Sequence, residues 1–270
     1  MFNAVDVEKQ ALEIRQKNNI QTYGIKDIFS LIEDMGIDMI RYPFGKEVLC
    51  GLSSVYRDKK VIISNSSEIL TREIFTVAHE LGHLIYDFDQ NWQDVKVDVD
   101  IDNDLRNNAS EKRADYFAAC LLMPKEKLEN FVRYELKKSL DDIKALDIVR
   151  MQGEFNTSYA STVLRLTELG LIRKVQKNQL FDERNQKSSM LLFRMINADE
   201  GLLRATEKIE VPTRYLYYLV SNYENGFVPY TALEKAFILI GKSPAEEFNN
   251  KGEEFDEDEM EENLDEVFEY

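Results

Sequence analysis

The only two histidines of this 270-residue chain, His79 and His83, stand four residues apart with Glu80 directly after the first. Random placement would give two histidines that spacing in roughly 0.7% of cases, so the H-E-x-x-H pattern needs a physical reading. On a helix, positions i and i+4 share a face with Cβ atoms ~5–6 Å apart, close enough for two imidazoles to meet at one metal ion. Glu80 then projects about 100° round the helix from His79, where it can act on a water without being a ligand. The flanking apolar residues Ile74, Phe75, Val77, Ala78, Leu81, Leu84 and Ile85 predict a buried helix beginning near Thr71. One metal-binding helix, held rigidly in a core, is therefore the first constraint on the fold.

Zinc normally takes three protein ligands and keeps one position open when it is catalytic. No third histidine exists, so the remaining ligand must be a carboxylate or a cysteine. Glu111 is the best candidate, near the start of the next predicted helix, 110–123, which Pro124 stops. Asp115 lies four residues on and can accept a hydrogen bond from a ligand imidazole. The apolar face Ala114, Phe117, Ala118, Leu121 and Leu122 docks this helix on the core. Competing donors are Asp87, Asp89, Asp94, the alternating Asp98, Asp100, Asp102 and Asp104, and Cys120. The aspartate series lacks the glycine and final glutamate of a calcium loop and reads as part of an exposed polar loop, 89–108.

Elsewhere the pattern predicts helices at 5–17 and 25–35 and short strands at 37–42, 48–56 and 61–64, read as a small antiparallel sheet. A helix-turn-helix-like pair follows residue 139, with its turn at 153–157. Residues 173–210 give no clear pattern, and a helical hairpin fits 213–223 and 230–240. The fold class is α+β.

Charge bears on function through its distribution. Of the net −16, ten charges belong to residues 251–270, where eleven acids face Lys251 alone. That end reads as a disordered acidic tail, and the rest as only mildly acidic. Residues 139–172 carry three bases (Lys144, Arg150, Arg165) against five acids, so direct nucleic-acid binding is not expected. No membrane span is expected. The start has no apolar signal core, and two cysteines make no disulfide framework, so a cytoplasmic location is expected.

Three segments together resemble the ImmA/IrrE metallopeptidases: Phe75-Thr76-Val77-Ala78-His79-Glu80-Leu81-Gly82-His83, then Glu111-x-x-Ala114-Asp115-x-Phe117-Ala118, then Leu121-Leu122-Met123-Pro124. The first is shared by many zinc peptidases; the other two, at this distance from it, are far more specific. The resemblance spans much of 25–172. It implies a zincin-like metallopeptidase domain at 1–135 with a small antiparallel sheet and an active-site helix. A helix-turn-helix-like segment at 136–175, a mainly helical region at 176–250 and the tail at 251–270 would follow. It implies one Zn2+ per chain on His79, His83 and Glu111, Glu80 as general base and Asp115 as an outer partner. The implied substrate is a helix-turn-helix repressor of mobile-element or phage type, whose cleavage relieves repression. A non-catalytic anti-repressor or a DNA-binding regulator is the alternative. Many relatives carry a further histidine after the H-E-x-x-H helix, where this chain has Tyr86-Asp87. A second oxyanion donor would have to be a Tyr, Arg, Asn or backbone N–H. The strand 61–65 is expected to offer a free edge to a substrate segment.

Overall fold

The computed structural model describes residues 2–46, 48–56, 59–88, 95–98 and 109–244, with 95–98 by their backbone. Two compact units divide the chain, Met1–Pro212 and Thr213–Tyr270. The acidic tail and most of the aspartate series lie outside the described residues.

In the first unit, α1 (Ala4–Lys17) is capped by the Asn3 side chain and α2 (Ile28–Asp34) by Asp27, each accepting backbone N–H bonds of the first turn. Strands β1 (Asp38–Tyr42), β2 (Gly51–Tyr56) and β3 (Lys59–Asn65) follow, then α3 (Leu70–Tyr86), β4 (Val95–Asp98) and α4 (Ala109–Leu122). The sheet order is β1-β3-β2-β4.

This sheet is mixed rather than antiparallel. β2 pairs antiparallel with β3 and β4, but β1 pairs parallel with β3, Ile40 opposite Ile63. The 43–50 connection carries the chain past β3 to its far side, and a parallel pair needs such a crossover. Asn65 holds that connection: its Oδ1 accepts from Phe44 and Ser67 N–H, and its Nδ2 donates to the Gly45 and Leu49 carbonyls, both at 2.7 Å. The expectation of a free edge at 61–65 is thereby overturned, because β3 sits between β1 and β2. β4 likewise falls inside the expected polar loop. Its Val-Lys-Val-Asp alternation is only four residues long, too short to register against the surrounding acids.

α3 lies between layers, packed on β2 and β3 on one side and on α4 on the other, and α1 covers α4. Twelve of its seventeen residues are buried, including the polar Glu73, His79, Glu80 and His83. Phe117, Ala118, Leu121 and Leu122 of α4 are fully buried, and each large apolar side chain there contributes about 1.5–3 kcal/mol. The end of α4 is closed by two buried arginines. Arg15 of α1 donates to the Leu121 carbonyl at 2.9 Å, and Arg165 donates to that of Met123 at 3.3 Å. Burial lowers the Arg15 pKa to about 10, so its guanidinium stays charged at neutral pH.

Beyond Pro124 come α5 (Lys125–Asn130), a π-helical turn (Phe131–Leu136), α6 (Ala145–Phe155), α7 (Tyr159–Glu168), α8 (Lys174–Asn185) and α9 (Ser189–Met195). The α6–α7 turn lies later than expected. Gly153 is helical, and the chain turns at Asn156, which takes φ +54° and donates its side-chain N–H to the Ile25 carbonyl at 2.9 Å. Residues 204–210 then strap the sheet's β1 side. Arg41 and Glu210 exchange backbone bonds at 2.9 Å, and Leu70 N–H bonds the Arg204 carbonyl. The second unit holds the expected hairpin, α10 (Thr213–Glu224) and α11 (Tyr230–Leu239). No helix among the described residues is long and apolar enough to cross a membrane.

Candidate metal centre

The helical spacing of His79 and His83 brings their Nε2 atoms within 2.9 Å. Glu111, in the first turn of α4, places Oε2 3.2 Å from His79 Nε2 and 3.3 Å from His83 Nε2. A tetrahedral ion with bonds of 2.0–2.1 Å separates its ligand atoms by about 3.3 Å, close to the edges of this triangle. Two imidazoles and one carboxylate form a known catalytic zinc donor set, so these residues fit such an ion.

Both imidazoles are held from behind. His79 Nδ1–H donates to Asp115 Oδ1 at 2.9 Å, and His83 Nδ1–H to Asp87 Oδ2 at 2.5 Å. Each contact fixes the ring so that Nε2 faces Glu111. Glu80 is buried on the same helix, 1% exposed, outside the triangle.

Burial opposes charging of His79. Its hydrogen bonds to Asp115 and Glu111, with the charges of Asp115 and Glu80, outweigh that and hold its pKa up at about 10. Burial likewise opposes charging of His83, whose bonds to Asp87 and Glu111 raise its pKa. Hydrogen bonds from His79 and His83 hold the Glu111 carboxyl well below the usual carboxylate range. The metal-free triad is thus a carboxylate facing a His79 imidazole that holds its extra proton at pH 7. A metal takes only neutral imidazole, so loading displaces that proton, and affinity climbs with pH toward about 10. Calorimetric zinc titration at pH 7, in buffers of different ionisation enthalpy, is expected to show release of about one proton, that of His79. Buffer-independent heats would contradict it.

Two glycines set the spacing. A Cβ on Gly82 would lie 3.1 Å from both Ala114 Cα and Phe117 Cδ1, so α3 and α4 touch through Gly82 and Ala114. That contact brings Glu111 within reach of both imidazoles. A Cβ on Gly51, at the start of β2, would lie 2.5 Å from Thr76 Cγ2 and 3.5 Å from Glu80 Cγ, so β2 lies directly on the Glu80 side of α3. Gly82→Val is expected to cost about 1–3 kcal/mol by overpacking and to weaken zinc binding, as urea unfolding and zinc titration would read. Unchanged zinc affinity would sever the helix contact from the site.

All five residues expected from the sequence, His79, Glu80, His83, Glu111 and Asp115, fall in one place, four on buried or half-buried positions and Asp115 at the rim. Of the competing acids, Asp87 reaches the site through His83, not as a third ligand, and Cys120 is buried against Arg165 at 3.2 Å. Asp89, Asp94, Asp100, Asp102 and Asp104 lie outside the described residues. The sequence reading missed the part played by Asp87, Gly51 and Gly82. For Asp87 a signal was present, since it continues the i, i+4 series His79–His83–Asp87 along one face.

The Peptidase M78 family, described as an IrrE N-terminal-like domain, matches residues 23–167. No curated protein matches the chain. Among solved structures, a Mycobacterium tuberculosis transcriptional regulator is similar at 17% identity and a TM-score of 0.41, over 60% of this chain and 46% of that one. The chain therefore spans less than half of that protein, and at that score the likeness adds nothing to the fold.

Proposed function

The chain belongs to the Peptidase M78 family, and on that premise we propose that it is a zinc-dependent endopeptidase that cleaves a helix-turn-helix repressor. Family membership supports a metallopeptidase or an IrrE-like regulator. The observation that carries the catalytic reading is the closed triangle of His79 Nε2, His83 Nε2 and Glu111 Oε2, at 2.9–3.3 Å, with Glu80 buried beside it, while the repressor substrate rests on the resemblance to the ImmA/IrrE metallopeptidases.

One Zn2+ would be held by those three atoms, and when bound it supplies Lewis acidity toward a water and a peptide carbonyl. His79 and His83 would offer their Nε2 lone pairs, with Asp115 keeping the His79 proton and Asp87 the His83 proton on Nδ1. Glu80 takes a proton from the attacking water on its carboxylate and returns it to the leaving amine nitrogen. Burial of Glu80 keeps that carboxylate out of bulk water, where its basicity would be spent on solvent.

The DNA-binding alternative is disfavoured by the second helix of the pair, α7, whose one base is Arg165. Arg165 is 3% exposed and bonded to Met123 and Glu168, so it is not offered to phosphate. The exposed face of α7 carries Ala160, Leu164 and Glu168. Recognition helices need phosphate-neutralising bases, and that face has none.

The test compares new protein N-termini in cells expressing wild type or Glu80→Gln. The expected result is a small set of termini, one within a helix-turn-helix protein, present only with wild type. Identical sets overturn the peptidase reading. Relief of repression without any new terminus would favour sequestration instead.

A further inference from the structure

We propose that Asp87 is the positioning residue for His83 and, through the same carboxylate, for the α4 turn that carries Glu111. This rests on the metallopeptidase reading and deepens it. Asp87 follows α3 directly, and its side chain is 10% exposed. Its Oδ2 accepts from His83 Nδ1–H at 2.5 Å and from the Ser110 hydroxyl at 2.5 Å, and its Oδ1 accepts from the Arg113 guanidinium. Arg113 is itself fixed over the Tyr86 ring, 4.8 Å from its centroid.

Ser110 and Arg113 flank Glu111 in the first turns of α4. One carboxylate thus links the second imidazole to the helix turn that presents the third ligand. The sequence places the parts for this: His83 and Asp87 share a helix face at i, i+4, while Ser110 and Arg113 are i, i+3 on α4. His79 has a looser support. Its partner Asp115 is 61% exposed, so water competes for that carboxylate. Asp87 is shielded and braced on both oxygens, and its loss removes more of the ligand geometry. Outer partners of metal-bound histidines typically change metal affinity 10–100-fold.

The experiment measures zinc dissociation constants by chelator competition for full-length wild type, Asp87→Ala, Asp87→Asn, Arg113→Gln and Asp115→Ala. Metal-free melting temperatures serve as the fold control. Asp87→Ala is expected to weaken zinc about 10–100-fold. Asp87→Asn, whose amide oxygen still accepts from His83, restores part of that loss, and Asp115→Ala loses less than Asp87→Ala. With only two histidines in the chain, a long-range 1H–15N spectrum of the zinc-loaded protein shows two imidazoles. The His83 Nδ1–H signal is expected in wild type and is lost to exchange in Asp87→Ala. Should Asp87→Ala fail to fold, Asp87→Asn carries the test, with an expected loss of roughly 3–10-fold. Asp87→Ala within threefold of wild type overturns the proposal. So does a loss equal to that of Arg113→Gln with the Nδ1–H signal kept, which would make Asp87 only a brace between helices. Wild type that takes up no zinc overturns the metallopeptidase reading itself and this proposal with it.

Discussion

Glu80→Gln is expected to bind zinc as the wild type does and to lose peptide cleavage by about 10²–10⁴-fold or more. The two halves of that result have separate causes. The ligand atoms are His79 Nε2, His83 Nε2 and Glu111 Oε2, and Glu80 belongs to none of the 2.9–3.3 Å edges. Glutamine matches glutamate in volume, so the 1%-exposed site beside Gly51 and Thr76 keeps its packing. What the amide cannot do is accept a proton from water and hand it to the leaving nitrogen. Zinc content by elemental analysis, read beside product formation on a substrate found from new N-termini, checks both halves. Activity within tenfold of wild type would remove Glu80 from the proton-transfer role. Loss of zinc together with activity would show that Glu80 shapes the ligand set.

The centre was legible in the sequence because its parts are local. Helical periodicity alone puts His79 and His83 on one face, and the next helix begins with an acid at Glu111 and another at Asp115. The Ala114 between them is the small residue on which Gly82 rests. The sheet was less legible because its order depends on pairings distant in sequence. The apolar pattern of 37–65 does not say that β1 joins β3 in parallel from the far side; that arrangement goes with Asn65 gripping the 43–50 connection, a contact that hydropathy does not mark. Residues 173–210 gave no pattern because helices there bury few residues, Gln176 and Leu180 in α8 and Leu192 and Phe193 in α9. The 204–210 strap is held by backbone bonds and by side chains more than a hundred residues upstream, Arg41, Ser66 and Ser67, and neither leaves a local pattern. Gly153 misled the placement of the turn, because a glycine inside a helix resembles a breaker until Asn156 is seen to take the left-handed conformation.

The same helix rests on a buried ion pair whose rupture is expected to have the largest effect on stability. Glu73, fully buried near the start of α3, accepts from Arg41 Nε and Nη2 at 2.8 Å each and from the Ser64 hydroxyl at 2.8 Å. Arg41 also donates to Glu210 and Thr206 of the strap and stacks 3.7 Å from the Phe29 ring centroid. One guanidinium thus joins β1, α2, α3 and the strap. Glu73→Ala leaves that cation buried without its bidentate partner, and removing one member of a buried pair costs about 3–5 kcal/mol. For a unit of this size the melting temperature should fall by roughly 6–20 °C. Arg41→Met/Glu73→Leu removes both charges and is expected to melt above Glu73→Ala, because the stranded charge, more than the lost attraction, carries the penalty. Thermal unfolding of the metal-free proteins keeps zinc linkage out of the comparison. A Glu73→Ala penalty under about 1 kcal/mol, or a double variant less stable than the single, would show that water or the strap's Glu210 rescues Arg41. The start of α3 would then be held chiefly by its apolar contacts.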